Sequence, residues 1–191
     1  MRWWGILLAS VLSGCALLPA SPAPDSSLRP PQPDNAAFAL NGRIAIKYDE
    51  IRHSAGLRWV HRAQSDEVLL LAPLGQTVAR VYRDAYGATL DDGSKQYRAE
   101  DVEALMQQAL GWRLPLDGLR YWILGMPAAE RPAQIKRDDN GRIVMLHQDG
   151  WEVAYLRHAD ASPNSLPTRL QLNRDDLQVQ LLIDEWDWSL Q

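Results

Sequence analysis

Cysteine is almost absent from this chain, because Cys15 is the only one in its 191 residues. A single thiol cannot form an internal disulfide bond, so a disulfide scaffold is excluded. Positive charge is also scarce: 20 Lys and Arg residues stand against 24 Asp and Glu residues, and the formal net charge is −4. No cluster of Lys or Arg occurs. The sequence therefore argues against nucleic-acid binding and against adhesion to anionic lipid through a basic patch.

Signals for catalysis are missing as well. The chain has no Gly-x-Ser-x-Gly elbow and no glycine-rich phosphate loop. Asp91-Asp92-Gly93 and Asp138-Asp139-Asn140-Gly141 have the composition of hairpin turns, which we favour over carboxylate pairs or calcium loops. The four histidines show no metal-ligand spacing; they are His53, His61, His147 and His158. We predict no enzyme, no metal site and no cofactor.

The first fourteen residues have the layout of a signal peptide. Arg2 precedes the apolar run 3–12, and the small residues Ser13 and Gly14 follow. This run is much shorter than the roughly 20 residues that a membrane-spanning helix needs. We therefore predict that residues 1–14 are removed after export.

Leu12-Ser13-Gly14-Cys15 resembles the lipobox of bacterial lipoproteins. The resemblance implies that diacylglycerol alkylates the Cys15 thiol, that the chain is cut before Cys15, and that the new amine is acylated. Ala16 stands where an aspartate tends to retain lipoproteins at the inner membrane. This implies an anchor in the outer membrane, facing the periplasm. The alternative is an ordinary signal peptide that ends between Ala16 and Ala20, with Cys15 discarded.

Residues 15–36 form a predicted lipidated, proline-rich tether. Six of the twelve prolines lie between Pro19 and Pro33, among Ser, Ala, Asp and Gln residues without hydrophobic periodicity. In polyproline geometry, at about 3.1 Å per residue, such a tether reaches up to ~70 Å from the membrane. Residues 37–191 are long enough for one domain with a sizeable core.

Alternation with period two recurs along the domain and predicts about eleven half-buried strands. The even-numbered apolar residues from Phe38 to Tyr48 share one face of the first strand. In a later strand Ile143, Met145 and His147 alternate in the same way. Favoured turn dipeptides separate many of these strands, which indicates consecutive hairpins.

Two helices are expected between the strands. The spacing of Val102, Leu105 and Leu110 predicts a helix that stops at Gly111, and a second short helix is predicted over 116–124. Strands, then helices, then strands predict an antiparallel α+β fold. So many hairpins indicate one strongly curved sheet, nearly a barrel, whose open side the helices cover. We expect the functional site in its hollow.

Tryptophan is abundant, with eight residues, of which Trp3 and Trp4 fall in the signal peptide. The remaining six either pack in the core or line an apolar hollow, and the residues alone favour the core. These six are Trp59, Trp112, Trp122, Trp151, Trp186 and Trp188.

Several segments, in order along the chain, are together similar to the LolB family of outer-membrane lipoproteins. They are Asn41-Gly42-Arg43-Ile44, Trp59, Leu69-Leu70-Leu71-Ala72-Pro73-Leu74-Gly75, Leu110-Gly111-Trp112 with Leu114-Pro115-Leu116, Tyr121-Trp122-Ile123-Leu124-Gly125, Gln148-Asp149-Gly150-Trp151 with Tyr155, Leu166-Pro167 and Trp186. The resemblance spans nearly the whole domain. One departure is the set Pro30, Pro31 and Pro33, which leaves little room for a helix before the first strand.

The resemblance implies an eleven-stranded, incompletely closed antiparallel β-barrel, capped by short helices around a hydrophobic cavity for acyl chains. It implies a monomer that accepts acylated lipoproteins from a LolA-like periplasmic carrier and inserts them into outer-membrane lipid. In the family the leucine of the Pro-Leu-Gly turn projects into solvent and is needed for insertion into the membrane, and the resemblance implies this role for Leu74. The candidate cavity residues are Ile46, Trp59, Leu70, Trp122, Trp151 and Leu181.

Two other interpretations remain open on the sequence. The first is an outer-membrane structural or assembly lipoprotein that binds protein partners through its sheet and whose hollow is fully packed. The second, a lipid hydrolase, is disfavoured because no nucleophile motif is present. An open cavity in the folded chain favours lipoprotein transfer over the first alternative.

Overall fold

The computed structural model of the protein describes residues 37–190. The predicted signal peptide, Cys15, the tether and the question of a helix before the first strand therefore lie outside the described residues. Within residues 37–190, no helix is both long enough and apolar enough to cross a membrane.

The described chain consists of strands β1 to β11 and helices α1 and α2. The strands are β1 (Phe38–Tyr48), β2 (Ile51–Arg62), β3 (Ser65–Leu71), β4 (Thr77–Asp84), β5 (Gly87–Asp91), β6 (Gln96–Ala99), β7 (Ala133–Arg137), β8 (Ile143–Gln148), β9 (Trp151–His158), β10 (Pro167–Arg174) and β11 (Leu177–Asp187). The helices α1 (Val102–Leu110) and α2 (Leu116–Trp122) follow β6 in the chain.

All the strands belong to one antiparallel sheet, in the order β6-β5-β4-β3-β2-β1-β11-β10-β9-β8-β7. The pairing of β1 with β11 brings the two ends of the domain together at the middle of the sheet. β6 and β7 are its two edges, so the barrel stays open along one side. The helices occupy the connection between these edges. The predicted fold, eleven antiparallel strands in an incompletely closed barrel with two short helices, is confirmed.

The central strand β1 shows why alternation predicted the core. Phe38, Leu40 and Ile44 are buried on its inner face, whereas Arg43 points to solvent. Gly42 lies at a bulge in the pairing with β11, where the two backbones approach closely. A side chain on Gly42 would collide with the carbonyl oxygen of Leu182, so the bulge requires glycine.

The hairpin turns are divided between the two ends of the sheet. Because neighbouring strands are antiparallel, the turns after β1, β3, β5, β8 and β10 share one end, which we call the loop end. The turn 72–76, between β3 and β4, is one of them. Strand β1 starts at the opposite end, which we call the far end, since Phe38 pairs with His61 while Tyr48 pairs with Ile51.

The two helices begin and end close to their predicted positions. Asp101 caps α1, because its Oδ1 accepts a hydrogen bond from the N–H of Ala104 at 2.7 Å. Gly111 ends α1 in the left-handed conformation, with φ of 79°. Helix α2 stops at Trp122, earlier than the predicted end at Leu124, because the chain tightens there into turns.

The prediction that Ile143, Met145 and His147 share one face of β8 is wrong for Ile143. The alternation of Ile143, Met145 and His147 placed these residues on one face. In the structure Ile143 is buried, but so are Leu146 and Gln148, while His147 is exposed. The cause is a register shift against β7 at the start of β8, which moves the following side chains to the other face.

Candidate functional site

An apolar cavity of about 70 Å³ lies between the inner face of the sheet and the helices. The wall presents no polar surface to the cavity, so it offers its contents no side-chain hydrogen bond. Such a wall suits a hydrocarbon ligand. The wall residues are Leu40, Ile44, Ile46, Leu57, Trp59, Val68, Leu70, Val81, Val102, Met106, Leu110, Trp112, Leu114, Leu116, Leu119, Ile123, Leu181 and Ile183.

Part of the cavity wall is exposed to solvent, and two of the partly exposed wall residues lie toward the loop end. Ile46 and Leu70 lie close to the loop end of β1 and β3, and both are partly exposed. Leu110, the last residue of α1, lines the cavity although 46% of its surface is exposed. Trp112 follows it and is half-buried. We call Ile46, Leu70, Leu110 and Trp112 the mouth of the cavity.

The turn 72–76 presents Leu74 at the loop end. The N–H of Gly75 donates to the carbonyl of Ala72 at 2.8 Å, and the N–H of Ala72 donates to the carbonyl of Gln76 at 2.8 Å. Gly75 has a φ of 82°, which glycine adopts without strain. Leu74 is 88% exposed. The side chain at the tip therefore projects into solvent and does not fold back onto the sheet.

A buried polar cluster holds Trp59 in the cavity wall. Asp66 on β3 accepts a hydrogen bond from Trp59 Nε1 at 2.8 Å and lies 2.7 Å from Nδ1 of His61. Arg83 on β4 donates to the second carboxylate oxygen of Asp66. Burial by itself raises the pKa of Asp66, but the hydrogen bonds with His61 and Trp59 and the charge of Arg83 together lower it. The ionised carboxylate thus fixes the indole ring.

Comparison with known proteins assigns the family. A family model described as outer membrane lipoprotein LolB matches residues 36–186. The chain belongs to the LolB family. A relative named outer-membrane lipoprotein LolB, from Nitrosomonas europaea, is 41% identical over 155 residues, which cover 80% of this chain and 73% of the relative. One of the same name from Chromobacterium violaceum is 37% identical over 182 residues, 94% of each chain.

Solved structures share the fold of this LolB-family chain. A LolA superfamily protein from Nitrosomonas europaea superposes with a TM-score of 0.53 at 11% identity, covering 86% of this chain and 90% of that one. A DUF1329 family protein from Desulfovibrio piger superposes with a TM-score of 0.51 at 7% identity, covering 83% and 88%. At such identities the likeness concerns the fold alone.

Four of the six candidate cavity residues lie on the wall of the LolB-family cavity. Ile46, Trp59, Leu70 and Leu181 come from β1, β2, β3 and β11, which are neighbours in the sheet. Their side chains meet because the inner faces of these four strands curve around one space. The two remaining candidates, Trp122 and Trp151, are not among the wall residues.

Trp122 and Trp151 instead pack against each other, with ring centroids 6.2 Å apart. Trp122 is fully buried and Trp151 is 1% exposed. The indole N–H of Trp122 donates to Oε1 of Gln148 at 2.8 Å, which directs the ring toward β8 and away from the cavity. Their assignment to the wall is therefore corrected: both are core residues of the LolB-family domain.

Gln148 on β8 has a structural role that the sequence pattern did not reveal. Its Oε1 accepts hydrogen bonds from Trp122 Nε1 at 2.8 Å and from the N–H of Ala128 at 2.7 Å. Its Nε2 donates to the carbonyl oxygens of Ala128 at 3.0 Å and Arg131 at 3.2 Å. The buried amide thereby fastens α2 and the segment 126–132 to the sheet. Partners so distant in sequence leave no local signal.

The helices contribute wall residues that were not predicted, among them Met106, Leu116 and Leu119. The apolar stripe of α1 was visible as helical spacing, and it shows that one face is buried. It does not show which strands that face covers. Membership of the wall therefore depends on how the helices dock.

The two Asp-rich segments form hairpin turns of the LolB-family sheet. Asp92 accepts a hydrogen bond from the hydroxyl of Ser94 at 2.8 Å, and Asp138 accepts one from Nε of Arg142 at 2.8 Å. These bonds lower the pKa of both carboxyl groups. Among residues 37–190, no group of three or more His, Cys, Asp or Glu side chains is placed to hold a metal ion.

Proposed function

We propose that this LolB-family protein is an outer-membrane lipoprotein that accepts other lipoproteins from a LolA-like periplasmic carrier and inserts them into the outer membrane. The observation that carries the proposal is the entirely apolar cavity, whose mouth lies at the same end of the sheet as Leu74. In this role the domain is a monomer. It makes and breaks no covalent bond, so we assign no catalytic residue.

The cavity would replace water around the acyl chains of the cargo. Each methylene exposed to water costs about 0.8 kcal/mol, so two or three chains cost tens of kcal/mol. A wall without polar side chains removes most of that cost. We propose that the chains pass from carrier to cavity to bilayer down a gradient of affinity.

The cavity must widen to take a chain. Its volume of about 70 Å³ is well below the ~300–1,000 Å³ of typical ligand pockets. Helix α2 is held by the Trp122–Gln148 hydrogen bond and by a 3.8 Å contact between Arg83 and Asp117. Helix α1 ends at the exposed Leu110. We therefore expect α1 to move outward at the mouth while α2 stays in place.

Leu74 is the proposed membrane-insertion residue. Transfer of its side chain into lipid gains about 1.5–3 kcal/mol, which orients a tethered domain without fixing it. Residues 1–14 are the proposed signal peptide, Cys15 the proposed lipid attachment site and residues 15–36 the proposed tether. In this arrangement the lipid on Cys15 keeps the domain, residues 37–191, at the membrane while Leu74 sets its orientation.

The test follows a fluorescent acylated peptide from a purified carrier to the lipid-free domain and then to liposomes. Leu70→Glu places a charge on the cavity wall, and we expect it to abolish acceptance. The matched control is Leu156→Glu, because Leu156 is 51% exposed and outside the wall. Leu74→Glu leaves the wall intact, so we expect normal acceptance and failed insertion.

Three results would contradict parts of this proposal. Wild-type acceptance by the Leu70→Glu variant would mean that the cavity does not hold the chains. Insertion by the Leu74→Glu variant at the wild-type rate would remove the role of Leu74. No transfer to the wild-type domain would favour a structural or assembly lipoprotein.

A further inference from the structure

The inner face of the β1–β2 hairpin continues beyond the cavity. Ile46, at the mouth, pairs with His53, and the next inward-facing pair toward the loop end is Tyr48 with Ile51. Directly opposed residues of an antiparallel pair point to the same face. Ile46, Tyr48 and Ile51 therefore form one row that runs from the cavity wall to the hairpin tip. Ile51 is 55% exposed.

The hairpin tip projects as far as the turn that carries Leu74. The last paired residues of β2 and β3 toward the loop end are Gly56 and Leu71. Ile51 lies five residues from Gly56 in the direction of the hairpin tip, which is about 16 Å at ~3.3 Å per residue. Leu74 lies three residues beyond Leu71, which limits its reach to about 10 Å past the same level. The tip of the β1–β2 hairpin thus reaches at least as far past this level as Leu74 does.

We propose that Ile51 is a second membrane-contact residue, and that Tyr48 and Ile51 form the surface along which acyl chains move between the cavity and the bilayer. This proposal rests on the proposed function and extends it to a route. A chain that leaves the mouth past Ile46 next contacts the Tyr48 ring and then Ile51. It passes into lipid without crossing water, because the tip is already in contact with the bilayer.

The partner of this tip is a lipid bilayer and not a protein. Ile51 follows Asp49 and Glu50 and precedes Arg52, all three exposed, and Leu74 lies on a separate turn. Ile51 is therefore an isolated apolar side chain among charges, separate from Leu74. A stable protein interface needs roughly 800 Å² per partner with a continuous apolar centre. A fluid hydrocarbon layer instead closes around single side chains, so isolated apolar tips suit it.

The test compares Ile51→Glu with Leu156→Glu, whose leucine on β9 has a similar exposure of 51% but lies outside the row. Flotation of the lipid-free domains with phosphatidylcholine vesicles measures binding. We expect Ile51→Glu to bind about tenfold more weakly or worse, since one aliphatic side chain no longer enters lipid. Leu156→Glu should bind like the wild type.

Ile51→Trp supplies the opposite change, because tryptophan prefers the membrane interface. We expect it to bind the vesicles more tightly than the wild type. A gain of binding by a variant that melts like the wild type cannot come from exposed core residues, so Ile51→Trp keeps the proposal testable if Ile51→Glu unfolds. Thermal melts of all the variants identify any variant that unfolds.

Acceptance of the acylated peptide from the carrier is measured on the same variants. Weaker vesicle binding and slower delivery by Ile51→Glu, with unchanged acceptance, support the proposal. Vesicle binding by Ile51→Glu that equals the wild type overturns the proposal. An equal loss of vesicle binding in Ile51→Glu and Leu156→Glu overturns it as well. Loss of peptide acceptance with intact vesicle binding would mean that the hairpin tip contacts the carrier, and this result also overturns the proposal. If the wild-type domain accepts no cargo, the proposed function fails, whereas the membrane contact still depends on the vesicle result.

Discussion

Asp66 joins three partners beside an apolar cavity. Its carboxylate binds the indole of Trp59, the ring of His61 and the guanidinium of Arg83. The side chain of Asp66 is 1% exposed and that of Arg83 is 22% exposed. Breaking such a pair leaves a charge without its partner in a medium that solvates it poorly. Trp59 in the cavity wall therefore depends on a carboxylate that stays ionised.

We predict that Asp66→Asn lowers the free energy of unfolding at pH 7 by about 3 kcal/mol, the usual cost of removing one partner of a buried ion pair. The pKa of Asp66 is lowered on folding, so its contribution is complete above the unfolded pKa of about 4 and disappears as the pH falls through the folded pKa. Urea unfolding of both proteins, from pH 7 downward, should therefore show the difference shrinking below about pH 4.

Asp184→Asn is the matched control for Asp66→Asn. Asp184 pairs with Arg43 at 3.0 Å, and the side chains are 49% and 64% exposed. Exposed ion pairs contribute little to stability, so we expect almost no change. A constant difference between wild type and Asp66→Asn across the acid range would contradict the lowered pKa of Asp66.

The tryptophans offer a test of the cavity wall at single-residue scale. Trp59 and Trp112 line the cavity, whereas Trp151 does not. When the domain binds an acyl chain that carries bromine, we predict that Trp59 and Trp112 fluorescence is quenched because the chain touches both rings. Trp59→Phe and Trp112→Phe should each reduce the fraction of fluorescence lost. Trp151→Phe is the control and should not reduce the fraction of fluorescence lost. Equal effects of all three substitutions would place the chain elsewhere.

Single elements differ in how well local patterns predict them. Helix α1 starts and stops where Asp101 and Gly111 place its ends, because capping depends on neighbours in sequence. In strand β8 the shared face predicted for Ile143, Met145 and His147 is wrong for Ile143, because a bulge against β7 separates it from the other two. Leu146 and Gln148 became core residues through a shift that no pattern within the strand indicates.

The attachment of α2 to β8 leads to a prediction. We expect Gln148→Leu to lower the free energy of unfolding by at least about 2 kcal/mol, since it leaves the Trp122 indole and the backbone of Ala128 and Arg131 without their partners. Hydrogen exchange should become faster in segment 126–132 while α1 keeps its protection.

Gln134→Leu is the control for Gln148→Leu, because Gln134 is exposed on β7. We expect it to change neither stability nor the exchange of 126–132. Uniformly faster exchange in α1 and α2 of the Gln148→Leu protein would mean that Gln148 supports the whole domain and not one attachment.

At the scale of the whole molecule, the start of the sheet and Leu74 lie at opposite ends. Strand β1 runs from Phe38 at the far end to Tyr48 at the loop end, about 33 Å at ~3.3 Å per residue. The chain from Cys15 joins the sheet at the far end. If Cys15 is anchored in the membrane that Leu74 enters, the connecting chain must cover the length of the sheet.

This geometry predicts a minimum tether length. Deletion of residues 19–33 leaves a chain from Cys15 to Phe38 that spans at most about 29 Å, given a limit of ~3.6 Å per residue. We expect the lipidated deletion protein to accept cargo normally but to insert it no better than Leu74→Glu. Replacing residues 19–33 by fifteen Gly and Ser residues should restore insertion, because length and not sequence matters. Normal insertion of cargo into liposomes by the deletion protein would contradict the placement of Phe38 and Leu74 at opposite ends of the sheet.

The sequence by itself determined the features that depend on neighbours in the chain: the alternating strands, the turns, the ends of α1, and the ordered motifs of the LolB family. These are local because a strand face, a turn or a cap involves residues only a few positions apart. Only the tertiary structure decided which tryptophans line the cavity, since Trp122 is drawn away by Gln148, 26 residues later. It also decided where the mouth, Leu74 and the first strand lie relative to one another. Those positions follow from the pairing of β1 with β11, which joins Asn41 to Glu185 across 144 residues.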